Sequence, residues 1–155
     1  MILETTKDDY ARLILGQAPR NLRLPDTPIA PTVILEMLAG VAGNVWAVFS
    51  PASWLMVEND EVVGLCSITR PPENGVIDIG YGVAASRQGR GSAGRAIGEI
   101  VAWAKNQAGV TAITADTSPT NIGSQRVLER NGFIRDGERI DKEDGPLICW
   151  RCPTA

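Results

Sequence analysis

The sequence predicts a mixed α/β fold, a twisted and mostly antiparallel sheet of about six to seven strands flanked by about four helices. Three observations predict it. Between Trp54 and Val83, three apolar runs rich in β-branched residues are joined by two short polar turns, the pattern of an antiparallel meander. After the meander, helical periodicity alternates with short apolar strands, giving a strand-helix-strand-helix unit. The chain of 155 residues has the length of one domain, 1–155, and is large enough for a real core.

Taken in order, Ile2 and Leu3 begin a strand. The segment from Thr6 to Leu15 reads as a helix, with Thr6 as N-cap, acids in the first turn and Gly16 at its end. Pro19, Pro25, Pro28 and Pro31 break residues 18–31 into a loop, and Thr32 to Val41 forms a second short helix ending near Gly43 and Asn44. Trp54 to Val57 and Val62 to Thr69 make a hairpin around Glu58, Asn59 and Asp60. A second turn from Pro71 to Gly75 leads into a strand, Val76 to Val83. A helix from about Gly91 to Ala108 carries Ala93, Ile97, Ile100, Val101, Ala104 and Ala108 at helical spacing, with Gly109 at the stop. A strand at Thr111 to Ala115, a helix at Asn121 to Arg130, and strands at Phe133 to Ile140 and Leu147 to Arg151 complete the order.

The bulk numbers exclude several classes. The chain is 44% hydrophobic and 21% charged, ordinary for a soluble protein, and its net charge of −3 argues against a nucleic-acid partner. No signal peptide or membrane span is evident, because the longest near-apolar stretch, Met37 to Phe49, is too short and carries Asn44. A cytoplasmic monomer or homodimer, without a membrane partner, is expected. Cys149 and Cys152 formally match C-x-x-C, but in a strand residues three apart point to opposite faces. The sequence has no histidine, so a zinc site lacks ligands and no Ser-His or Cys-His mechanism is available; no metal is expected.

The most informative stretch is Val76 to Gly94, where a strand runs into an arginine-flanked, glycine-rich loop and then a helix. Small residues at Gly89, Gly91, Ser92 and Ala93 let backbone amides approach a diphosphate, and the helix N-terminus, Arg87 and Arg90 add positive potential. A plain strand-to-helix turn is the simplest alternative. A dinucleotide fingerprint also matches Gly89-x-Gly91-x-x-Gly94, but such a fingerprint starts at the strand end and opens its domain. Here five residues separate Val83 from Gly89 and half of the chain precedes the loop. The second motif runs from Asn121 to Phe133, an asparagine-started helix closed by Asn131 and Gly132.

The segment Gln88-x-x-Gly91-x-Ala93 resembles the Q/R-x-x-G-x-G/A loop of the GNAT superfamily of N-acetyltransferases, and Asn121-x-x-Ser124 followed by Gly132-Phe133 resembles its other signature. The two cover roughly residues 54–150, and the strand and helix motifs most resemble the branch of the ribosomal-protein N-terminal alanine acetyltransferases. The resemblance implies a GNAT-type sheet, acetyl-CoA as cosubstrate, and acetyl transfer to a primary amine of a small molecule or peptide by direct attack in a ternary complex. It implies cofactor contacts from Tyr81, Gly82, Val83, Arg87, Gln88, Gly89, Arg90, Gly91, Ser92, Ala93 and Asn121.

Such transfer needs a proton taken from the ammonium, a donor for the oxyanion, and at most slight help for the departing thiolate. Alternation puts Asp78, Gly80 and Gly82 on one strand face, a carboxylate beside two positions with open space. By resemblance Asp78 stands where the branch carries its acidic residue; a salt-bridged strand residue is the alternative. Many family members use a tyrosine as acid where this chain has Leu128, and Ser124 matches the serine that related enzymes use instead. A serine bonding local backbone is equally consistent.

In the family the acceptor enters between the N-terminal helices and the last hairpin, so residues 18–46 and 139–146 are expected to set specificity. Asp26, Glu36, Asp141, Glu143 and Asp144 are candidates for attracting a cation, or simply solvated charges; Trp46 and Trp54 are expected in the core. A non-catalytic acyl-CoA-binding module, or a different acyl group such as succinyl, would keep the same loop.

Overall fold

The computed structural model describes residues 1–155. Seven strands are present: β1 (Ile2–Glu4), β2 (Ser53–Glu58), β3 (Glu61–Ile68), β4 (Val76–Val83), β5 (Ala112–Thr117), β6 (Ile134–Asp141) and β7 (Gly145–Pro153). They form one sheet in the order β1-β2-β3-β4-β5-β7-β6, and every neighbouring pair is antiparallel except β4 and β5. Four helices accompany them: α1 (Lys7–Ile14), α2 (Thr32–Trp46), α3 (Ser92–Lys105) and α4 (Ile122–Arg130). The predicted mixed fold and its counts of strands and helices are therefore found. No helix is long and apolar enough to cross a membrane.

The two sheet faces are told apart by adjacent residues of β2. The Ser53 hydroxyl meets the Tyr10 hydroxyl of α1 at 2.6 Å, whereas the next residue, Trp54, packs edge-on against Trp103 of α3 at a centroid distance of 5.2 Å. Neighbouring strand residues point to opposite faces, so α1 and α3 lie on opposite sides of the sheet. Trp54, Leu55, Ile77, Ile97, Ile100 and Ile113 are fully buried or nearly so, and form the centre of the core with Leu128 and Trp150. Trp46 is partly buried, edge-on to Tyr10.

Local chemistry explains the ends of the elements. Thr6 caps α1 by accepting from the Asp9 amide, while the Asp9 carboxylate accepts from the Thr6 amide at 2.8 Å. Burial alone would raise the Asp9 carboxyl, but Arg20 and the Thr6 amide together hold it below its usual value. α2 runs five residues past the expected Val41 and through Gly43, ending at Trp46. Ala42 and Val45 are buried, so tertiary packing overrides the weak helix preference of the glycines. α3 is shorter than expected, stopping at Lys105 before the turn that leads to β5. Cys149 and Cys152 lie on β7 as free cysteines, Cys152 buried and Cys149 partly so.

One glycine on β3 sets how closely two strands approach. A Cβ at Gly64 would stand 2.4 Å from the Gly82 carbonyl oxygen of β4. Gly64→Ala is therefore expected to destabilise by about 1–3 kcal/mol through overpacking, lowering the melting midpoint by roughly 3–10 °C. Gly40→Ala, in open space on α2, is expected to be neutral or stabilising by up to about 1 kcal/mol. Paired thermal melts of the two variants check both signs.

Candidate functional site

The parallel strands β4 and β5 pair only from Val76–Ile79 to Ala112–Ala115. Beyond Ile79 the two part: β4 continues to Val83 paired only with β3, and β5 continues to Thr117 paired only with β7. The edge of Gly80–Val83 that faces β5 is thus left without a strand partner, and Gln88 Nε2 donates to the Val83 carbonyl at 3.1 Å there. Free backbone donors and acceptors inside an otherwise complete sheet are a place for an extended ligand to bind.

A cavity of about 510 Å³ begins at this opening. Its walls are Tyr81–Val83 of β4, the loop from Arg87 to Gly94 apart from Arg90, and the face of α4 that carries Asn121, Ser124 and Val127. One turn of 3-10 helix (Ala85–Arg87) starts the loop. Gly89 and Gly91 then take φ of 76° and 77°, in the left-handed region that favours glycine. Gly91 is the N-cap of α3 and supplies no side-chain cap, so the first amides of that helix keep their hydrogen-bonding capacity for an anion.

Most residues singled out by the sequence meet here. Tyr81, Gly82, Val83, Arg87, Gln88, Gly89, Gly91, Ser92, Ala93, Asn121 and Ser124 all line the cavity. Asn121 caps α4, its Oδ1 accepting from the Ser124 amide at 3.1 Å. The Ser124 hydroxyl is 2.7 Å from the Tyr81 hydroxyl, a bond across the opening from α4 to β4. Burial pushes the Tyr81 hydroxyl above its ordinary value despite the opposing Ser124 bond, so it stays protonated at neutral pH. Leu128 is fully buried and belongs to the core.

Two of the loop arginines stand differently from the simple expectation of two charges in the groove. Arg87 lines the cavity, but its guanidinium is engaged by Glu61 and reaches Asp26 at 3.4 Å. The Arg87 hydrogen bond in turn holds Glu61 below the usual carboxylate range. Arg90 lies on a neighbouring depression with Arg23, Glu58 and Arg95. The cations on the far wall of the groove are Arg126 and Arg130 of α4, and neither makes a salt bridge to a carboxylate. Sequence reasoning missed both; their i,i+4 spacing on the helix that Asn121 starts was the available signal.

Asp78 lies on the opposite face of the sheet and does not line this groove. It accepts from Thr69 and Thr114 hydroxyls, each at 2.6 Å, and pairs with Arg70 at 3.3 Å. On that face a second cavity of about 280 Å³ lies over Gly80 and Gly82, under α2. Tyr81 and Gly82 line both cavities, so the two meet where β4 leaves β5. The acids proposed to attract a cation stand apart from this second cavity: Asp26 pairs with Arg87, and Asp141 pairs with Arg139 and caps the amides of Glu143 and Asp144.

The site is thus a sheet opened beside a glycine loop, with a cavity on each face and the two cavities meeting at the opening. The acetyltransferase (GNAT) domain family matches residues 1–134, and the chain belongs to that family. It is 38% identical over 85 residues to the uncharacterized N-acetyltransferase YjdG of Bacillus subtilis (strain 168), covering 53% of this chain and 51% of that protein. It is 29% identical over 99 residues to the uncharacterized N-acetyltransferase p20 of Bacillus licheniformis, 62% of this chain and 56% of that one. The chain thus spans about half the length of the curated relatives it matches. Among solved structures, AAC(6')-Ib in complex with ribostamycin and coenzyme A is similar with a TM-score of 0.69 at 19% identity, covering 99% of this chain and 92% of the other. A spermidine N-acetyltransferase SpeG chimera from Vibrio cholerae and hSSAT gives a TM-score of 0.70 at 12% identity, with 99% and 95% covered. These likenesses show a shared fold.

Proposed function

We propose that the chain transfers an acetyl group from acetyl-CoA to a primary amine by direct attack in a ternary complex. The observation that carries the reading is the parting of β4 from β5 between two cavities that touch at Tyr81 and Gly82. Family membership supports the same reaction class. The residues fit the cofactor: Gly89 has open space around it, and the uncapped amides at the start of α3 suit a diphosphate. Acetyl-CoA, when bound, supplies an activated acyl carbon on a thiol leaving group.

Each group then has a defined role. The amides from Gly89 to Ala93 hold the diphosphate, with Arg126 and Arg130 as counter-charges from α4. The unpaired edge of β4, the backbone groups of Tyr81 and Val83, orients the arm and offers amide donors to the developing oxyanion. Asn121, already accepting from the Ser124 amide, has its NH2 free for the same arm. Tyr81 and Ser124 share a hydrogen bond through which a proton reaches the departing sulfur. Asp78, on the acceptor face two residues from Gly80, takes the ammonium proton through water at the acceptor position that Thr69, Thr114 and Arg70 leave open. Holding both reactants at one gap in the sheet supplies the proximity that such transfers need. Resemblance to the ribosomal-protein alanine acetyltransferase branch makes a peptide N-terminus one acceptor class; the similar aminoglycoside and spermidine enzymes make small amines another.

Acetyl-CoA at a hundred times its dissociation constant is expected to raise the melting midpoint by roughly 5–10 °C. Gly91→Glu, which puts a carboxylate at the left-handed N-cap of α3, is expected to abolish that shift; an unchanged shift overturns the loop assignment. The Arg126→Ala/Arg130→Ala double variant is expected to weaken acetyl-CoA binding about 10-fold or more at low salt and to flatten the salt dependence of affinity. Asp78→Asn is expected to lower the acetylation rate far more than cofactor affinity. An acetylation rate left unchanged by Asp78→Asn would remove Asp78 from the role of base.

A further inference from the structure

We propose that the acceptor is a monocation, a single primary amine carried on one apolar body, and that it enters through the cavity under α2. This rests on the acetyl-transfer reading given above. The cavity walls are Ile29, Ile34, Leu38 and Leu65, and Ser67 is the one polar side chain over the floor formed by Gly80 and Gly82. No carboxylate lines it. Asp78, the carboxylate placed on the same face, is already met by two threonine hydroxyls and Arg70.

Charge and size both follow from this lining. A polyamine or aminoglycoside brings several ammonium groups, and those beyond the reacting one would sit against isoleucine and leucine with no counter-charge, which costs desolvation without return. A single amine reaches Gly80–Gly82 at the gap and leaves only its apolar part inside. The volume of about 280 Å³ is roughly nine water volumes at ~30 Å³ each, enough for one side-chain-sized apolar group. The apolar surface continues outward on α2, where Val33 is 69% exposed and Met37 54%. Glu36 is the one charged residue in that helix. In the reaction the amine nitrogen forms the new bond to the acyl carbon as the carbon–sulfur bond breaks. The surplus ammonium proton leaves to the base, and the thiolate receives one.

The test measures thiol release from acetyl-CoA by the full chain at about pH 8 with four amines and one peptide: 2-phenylethylamine, isoamylamine, spermidine, kanamycin and a short peptide beginning with leucine. The apolar monoamines are expected to exceed spermidine and kanamycin by at least about tenfold in kcat/KM. Turnover of the peptide but not the free amines would identify the source of the same chemistry as a chain N-terminus. Ile34→Asp, at a position 38% exposed and therefore tolerant of a charge, is expected to lower kcat/KM for 2-phenylethylamine and raise the relative rate of spermidine. Spermidine or kanamycin as the better substrate of the wild type, or an unchanged ratio in Ile34→Asp, overturns the proposal. So does no turnover of any of the five while acetyl-CoA still raises the melting midpoint, an outcome that leaves the cofactor reading standing. No midpoint shift with acetyl-CoA at all overturns both.

Discussion

The site depends on a ladder that stops. β4 and β5 are the one parallel pair in the sheet, and their pairing ends at Ile79 and Ala115. Each strand goes on with its other neighbour, so the sheet is held together on both sides of a gap rather than frayed at an edge. Backbone groups on an inner strand are normally satisfied by the ladder, so a gap of this kind leaves those of Tyr81 and Val83 able to bind a ligand as a strand would. The absence of side chains at Gly80 and Gly82 keeps the acceptor face of the same segment open, and Gly64 lets β3 close on the Gly82 carbonyl from the other side.

Electrostatics around the gap divides by sheet face. On the α3 and α4 face, uncapped helix amides, Arg126 and Arg130 provide unneutralised positive potential. Arg87 serves the loop instead. Pinned by Glu61 and reaching Asp26, it ties the loop to β3 and to the proline-rich segment, where Thr27 and Ser86 also bond at 2.8 Å. A loop that must present amides in fixed directions gains from such anchoring, since glycines alone leave it loose. On the α1 and α2 face the lining is apolar and the nearby carboxylate is internally satisfied.

Much of this was legible in the residues. The strand from Val76 to Val83 has the bounds its sequence predicts, because its alternation is clean and a glycine turn and a glycine loop mark its ends. The loop glycines, Asn121 and Ser124, which line one cavity, stand out in the sequence because each sits at a local punctuation point, a turn or a helix start. What was not legible depends on contacts distant in sequence. The parting of β4 from β5 leaves no trace in a periodic pattern, since both strands continue. Arg90 and Arg130 look alike in sequence, and only the packing of α4 against α3, with Asn131 donating to the Gly94 carbonyl, turns the second toward the groove. α2 runs longer than its glycines suggest because Val45 is fully buried, a tertiary fact.

The most direct measurement of the central claim is a titration of the isotopically labelled protein with coenzyme A, followed through backbone amide chemical shifts. The largest changes are expected on the amides of Tyr81 and Val83, those from Gly89 to Ala93, and Ser124 to Arg130, the two sides of the gap. Changes confined to Arg23, Asn59 and Arg95, or to the apolar cavity under α2, with the amides of Tyr81 and Val83 unmoved, would contradict it.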